Sequence, residues 1–226
     1  MMLEWSEFAV AFLAFYGSHM IPARPAVRGR LSDILGERLY LLVYASLSIL
    51  LLAWLVEAAA RAPYVPLWER AAWQNLVPLT LMLPACLLAA FGPGASGGLS
   101  LGSKRDAPLD CARPGIAAIT RHPLLWALTL WSLAHMVPNG DLAHGILFGS
   151  FALTALLGMV AFDRRTQRKL GSGRWQDIAR TTAFVPFARG LGAIGLDHPW
   201  LRALAGLALY LLLLTLHDAV IGVSPL

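Results

Sequence analysis

The sequence predicts an all-α membrane protein, a polytopic bundle of about six transmembrane helices with both termini periplasmic. Three observations predict it. Of 226 residues, 58% are hydrophobic and only 14% charged, against about a quarter charged in soluble domains. The apolar residues are bunched into runs near the length a bilayer demands. Lysine and arginine fall almost entirely in alternate loops. A water-soluble chain with this pattern would need long helices apolar on every face.

The runs are Leu3 to Ile21, Leu39 to Glu57, Trp73 to Phe91, Pro123 to Pro138, Leu142 to Phe162, and Trp200 to Gly222. The first has no basic leader, carries Glu4 and Glu7, and ends in Pro22 and Arg24. It is therefore expected to stay as a helix rather than be removed as a signal peptide. The third carries Pro78 and Pro84, which predict a kink. The fourth is short, and it is expected to thin the bilayer or sit within the bundle.

Between runs four and five, "PNGD" (Pro138 to Asp141) reads as a tight outer turn. Asn-Gly tolerates positive φ there, and Asp141 can cap the following helix. The chain reads as one domain, 1–226, without internal repeats. Its loop from Gly92 to Arg121 opens with a flexible "GPGASGG". The loop 163–199 mixes Trp175, Ile178, Phe184, Val185 and Phe187 with arginines. That mixture suits a segment on the cytoplasmic face of the membrane, either a lipid-anchoring surface helix or a lid over a site.

Orientation follows from charge. Arg24, Arg28, Arg30 and Arg38 lie between runs one and two, and Lys104, Arg105, Arg113 and Arg121 between three and four. Arg164, Arg165, Arg168, Lys169, Arg174, Arg180 and Arg189 lie between five and six, whereas the opposite side holds Arg61 and Arg70. The positive-inside rule then places these basic loops in the cytoplasm of an inner-membrane protein. The net charge of +5 is accounted for by topology and anionic lipid, and it calls for no nucleic-acid partner. Cys86 lies within run three and Cys111 in a loop, so neither a disulfide nor a cysteine zinc spacing follows.

Histidines in apolar runs each need a reason, because lipid penalises polar groups. His122 and His135 are separated by 13 residues, on a helix about 20 Å of rise and roughly 220° of rotation, so they cannot share a metal. His122, in Arg121-His122-Pro123 at the cytoplasmic edge, reads as a helix-start residue in a headgroup-facing Arg-His pair or as a functional residue. His135 reads as an interhelical hydrogen-bonding group or as a metal or haem ligand. His19 follows Gly17 and Ser18, which allow close helix approach, and is a ligand candidate or a hydrogen-bonded residue near the inner edge. His217, before Asp218, reads as half of an outer-interface pair; about 25 Å along its helix, it could instead approach the depth of His135, which is about 18 Å along its own. His144 and His198 stand at loop edges with no assigned role. No nucleophile-base set, no His-Glu-x-x-His pattern and no phosphate loop is present in the sequence.

The stretches "GSHMIPARPAVRGRL", "GERLYLLVYASLSI", "ITRHPLLWALTLWSLAHMVPNGD" and "FGSFALTALLGMVAFDRRTQRKLG" together resemble the NnrU family of bacterial integral membrane proteins. That resemblance implies a link to nitric oxide metabolism and denitrification. The NnrU family in turn resembles the zeta-carotene isomerases, membrane enzymes that use haem b to rotate a carbon-carbon double bond. Carried over, the haem ligands are His19 and His135, and the ligand would be a hydrophobic small molecule or nitric oxide. Those isomerases have a cysteine three positions before the second histidine, where this chain has Ser132.

Arg121-His122-Pro123 followed by Asp163 also resembles membrane methyltransferases of the isoprenylcysteine carboxyl type, which hold S-adenosylmethionine. This chain has Arg164 where those enzymes have a second acidic residue. A third reading is a non-catalytic membrane scaffold or accessory protein for nitrogen-oxide respiration.

Overall fold

The computed structural model describes residues 2–21, 24–93, 95, 98–103, 109–190 and 195–225. The expected "GPGASGG" flexibility falls in part on Gly94, Ser96 and Gly97, and the basic pair Lys104 and Arg105 with it, outside the described residues. Within them the chain is all-helical apart from an isolated bridge between Pro66 and Asp141. The elements are α1 (Met2–Met20), α2 (Pro25–Leu35), α3 (Glu37–Arg61), α4 (Leu76–Phe91), α5 (Ile116–Ile119), α6 (Pro123–Met136), α7 (Leu142–Leu170), α8 (Ser172–Thr181) and α9 (Pro199–Ile221). A 3-10 turn, Ala72–Asn75, leads into α4.

Four helical stretches are long and apolar enough to cross a membrane: Glu37–Arg61, Ala72–Phe91, Leu142–Leu170 and Pro199–Ile221. Their outward faces are apolar, with Leu50 68% and Leu204 62% exposed. In water such surfaces would be unmet apolar patches, and in a bilayer they are the faces that meet lipid. The other two expected runs form α1 and α6. At 14 residues, α6 is about 21 Å long, short of the roughly 30 Å hydrocarbon core.

The contacts divide the chain into two compact units. The first comprises Met1–Glu69 with Gly140–Leu147. Here α1 packs on α3, burying Phe8 and Ala11 on one side and Leu55, Ala58 and Ala59 on the other. Small alanines let the two backbones approach, which is how apolar helices gain contact where lipid offers no hydrophobic drive. Glu7 ties the pair together, accepting from Arg61 Nη2 at 2.6 Å and Trp54 Nε1 at 3.2 Å.

A short strap completes this unit. Leu67 N–H donates to Gly140 O at 2.7 Å and Leu142 N–H to Val65 O at 2.9 Å. Asp141 caps α7 as expected, accepting from the His144 N–H at 3.2 Å. The expected positive φ at Asn139 or Gly140 is not adopted. Gly140 is required for another reason: a Cβ there would overlap the Trp68 carbonyl.

The second unit comprises Arg70–Asn139 with Phe148–Leu226. Within it α4 packs against both α6 and α9. Gly206 of α9 admits the α4 backbone, for a Cβ there would stand 2.9 Å from Leu87 Cα. Tyr210 Oη donates to Leu79 O at 3.1 Å, and Arg202 Nη1 donates to the carbonyls of Ala90 and Phe91, each at 3.1 Å. Arg202 thereby satisfies backbone groups at the end of α4 that the helix itself leaves open. On the other side of α6, Leu125 packs with Ala155 and Met159 of α7, and Phe162 and Phe184 close over them.

The helix α7 runs to Leu170, past the expected end at Phe162, and Gly171 (φ 79) turns the chain into α8. Ile178 of α8 is buried with Leu99 and Ala117, and Trp175 packs against the same cluster.

Candidate functional site

Two groups of polar side chains stand within the second unit. One surrounds the start of α6. The other lies near its end.

The start of α6 is built from two paired stretches. Residues 117–122 pair with 183–187: Ala183 N–H donates to Ala117 O at 3.0 Å, Arg121 N–H to Ala183 O at 2.8 Å, and Phe187 N–H to Ile119 O at 3.1 Å. Pro123 opens the helix, where a missing N–H costs nothing, and this leaves His122 as the N-cap with φ −123° and ψ 55°. That geometry turns both Arg121 and His122 inward.

Asp163 of α7 receives them. Arg121 Nη2 donates to Asp163 Oδ2 at 2.6 Å and Nε to Oδ1 at 3.2 Å. The remaining nitrogen, Nη1, donates to Thr182 O and Oγ1. The guanidinium also lies 5.2 Å from the Trp175 ring and 5.9 Å from Phe184, within cation-π range. His122 is fully buried. Its Nε2 donates to Asp163 Oδ1 at 3.0 Å, and Nδ1 lies 2.9 Å from Ser100 Oγ.

The expectation of a headgroup-facing Arg-His pair is therefore not met. The sequence-predicted Arg121, His122 and Asp163 converge, but they converge on one another. Both ring nitrogens, all three guanidinium nitrogens and both carboxylate oxygens are engaged. Such a network holds its surroundings in register. Ser100 and Thr182 complete it without any signal in the sequence, and Trp175 and Phe184 join it from the segment expected to be a surface helix or a lid. They come from distant loops and from α8.

The end of α6 is different. His135 Nδ1 lies 2.8 Å from Trp131 O, one turn back. A carbonyl only accepts, so Nδ1 carries the proton and Nε2 keeps its lone pair. Among the described residues Nε2 has no hydrogen-bond partner. Aromatic rings surround the imidazole: Trp131 at 5.2 Å and Phe148 at 5.4 Å, with Phe151 5.8 Å from Trp131. Asn139 Nδ2 donates to the His135 carbonyl at 2.7 Å, closing the helix end. Ser132, where the isomerases have cysteine, is fully buried and donates to Leu128 O at 2.8 Å.

His19 belongs to the first unit. Its Nδ1 lies 2.8 Å from Phe15 O, again one turn back, so its Nε2 also keeps the lone pair. Its ring lies 4.3 Å from that of Phe15 and 5.9 Å from that of Tyr44. Both sequence-predicted haem ligands are thus held in the same tautomer by the same device, each within its own unit.

The family model described as NnrU protein matches residues 7–225. The chain belongs to the NnrU family. Neither a curated protein nor a solved structure matches this NnrU-family chain at a significant level. The match spans both units and takes in His19, Arg121, His122, His135 and Asp163.

Proposed function

We propose that this NnrU-family protein is a haem b-binding protein of the bacterial inner membrane, with His135 as an iron ligand. The observation that carries this reading is the Nδ1–H of His135 held by the Trp131 carbonyl at 2.8 Å. Metal-ligating histidines characteristically give their second nitrogen to a carbonyl or carboxylate, which fixes the ring and raises ligand basicity. The donor set fits the group: a neutral imidazole with a free Nε2, beside the flat apolar surfaces of Trp131 and Phe148. The isomerase resemblance names His19 as well, and its imidazole is prepared in the same way. Ser132 spends its hydroxyl on the helix backbone, so no thiolate is supplied at that position.

Bound haem would supply an iron able to take up a gas such as nitric oxide or to act as a Lewis acid toward a hydrophobic substrate. The chain's own residues orient the ligand through Trp131 O and shield it with aromatic rings. The link to nitrogen-oxide metabolism rests on the family resemblance, and isomerase-like chemistry rests on the likeness to the haem isomerases.

Titrating haem into apo-protein purified in detergent tests the reading. Saturation at one equivalent with a sharp Soret band supports it. Titration indistinguishable from empty micelles rejects it and leaves the scaffold reading ahead.

The methyltransferase-like reading retains one supporting observation, the convergence of Arg121, His122 and Asp163. Against it, these three residues already spend contacts on one another.

A further inference from the structure

We propose that His135 and His217 ligate one metal ion, each through its Nε2, as the two imidazole ligands of one centre. The identity of that ion as haem iron rests on the function proposed above; the pairing of the two histidines stands on its own geometry.

The two ring centres lie 6.2 Å apart with planes 27° from parallel. Imidazole-metal bonds are about 2.0–2.1 Å, so two imidazoles on opposite sides of one ion have ring centres about 6 Å apart. A direct hydrogen bond between the rings would draw them closer, and none is formed.

The tautomers give the second reason. His217 Nδ1 lies 2.7 Å from Val223 O. It is therefore a donor, as His135 Nδ1 is toward Trp131 O. Both Nε2 atoms are left as acceptors, and two acceptors cannot satisfy each other. A cation between them satisfies both.

The backbone that creates this arrangement is specific. Gly222 ends α9 in the left-handed region (φ 81°, ψ 11°), with its N–H on Asp218 O. This reversal carries the Val223 carbonyl back over the last turn to reach His217. A side chain at position 222 would strain that turn, so Gly222 acts as a positioning residue for the His217 tautomer.

Both helices that bear the histidines pack on α4, so the pair is carried within a single unit. His135 and His217 are each partly exposed, which leaves an approach for an ion.

The experiment uses the full chain purified in detergent, loaded with haem, and compares the wild type with His135→Ala, His217→Ala, Gly222→Ala and His19→Ala. The expected result is a low-spin, six-coordinate spectrum in the wild type that turns high-spin and five-coordinate in His217→Ala. Added imidazole should restore the low-spin bands in that variant, which a merely misfolded protein would not show. Gly222→Ala should shift the spectrum partway. If His217→Ala keeps the wild-type spectrum, or if His19→Ala is the variant that turns high-spin and imidazole rescues, the pairing is overturned while the haem reading survives.

If the wild type takes up no haem, the haem reading falls and cupric ion becomes the probe. One equivalent bound by calorimetry, and lost in both His135→Ala and His217→Ala, upholds the pair. Absence of that binding overturns it.

Discussion

Asp163 grips Arg121 with both carboxylate oxygens, at 2.6 and 3.2 Å, while Oδ1 also accepts from His122 at 3.0 Å. One carboxylate thus joins α7 to the start of α6, and through Arg121 and Thr182 to the chain beyond α8. The residues that the methyltransferase resemblance points to also fasten α6 to α7 within the second unit.

Removing that carboxylate strands a buried guanidinium. Asp163→Ala is expected to lower stability by about 3–5 kcal/mol, as for other buried pairs that lose one partner. Asp163→Asn, which keeps an acceptor for His122, should cost less. Thermal unfolding in detergent would measure both, and an unchanged midpoint for Asp163→Ala would show that the pair is dispensable.

Because Arg121, His122 and Asp163 are engaged with one another, S-adenosylmethionine is expected not to bind. Calorimetry at millimolar ligand should give no heat beyond dilution. Saturable binding that weakens in His122→Ala would instead favour the methyltransferase-like reading.

The approach of α9 to α4 depends on Gly206. A Cβ there would meet Leu87 Cα at 2.9 Å, and that neighbour is backbone, which cannot swing aside. Gly206→Ala is expected to cost about 1–3 kcal/mol by overpacking. Gly173, with nothing within 4 Å of its built Cβ, serves as the control: Gly173→Ala should leave the midpoint unchanged or slightly raised.

The arginine asymmetry predicts the topology. Reporter fusions at Ser172 should report cytoplasm, and fusions at Ala60 should report periplasm. The reverse pattern would invert the orientation, and the same compartment at both sites would remove a span between them.

Much of the fold is legible in the sequence because its cause is local. Apolar length marks α3, α4, α7 and α9, Pro123 marks the start of α6, and Asp141 caps α7. The candidate sites are legible only as single residues. Arg121, His122 and Asp163 stand out by type and spacing, but nothing local says that Asp163 reaches both partners or that Ser100 and Thr182 complete the set. Those contacts span up to 61 residues of chain. His217 is similar: its helix depth could be read from position, but its tautomer is set by Gly222 and Val223, downstream of it in a turn that hydropathy does not describe. The role of Gly140 is hidden from the sequence for the same reason. Sequence offers turn chemistry there, whereas the constraint is a backbone carbonyl from residue 68.

The central claim is that His135 is an iron ligand, and the visible spectrum of the protein purified from haem-replete cells tests it most directly. The wild type should show a Soret band that is lost in His135→Ala and kept in His122→Ala, whose imidazole serves the separate network at the other end of α6. A colourless wild type after haem supplementation, or an unaltered spectrum in His135→Ala, would contradict the account.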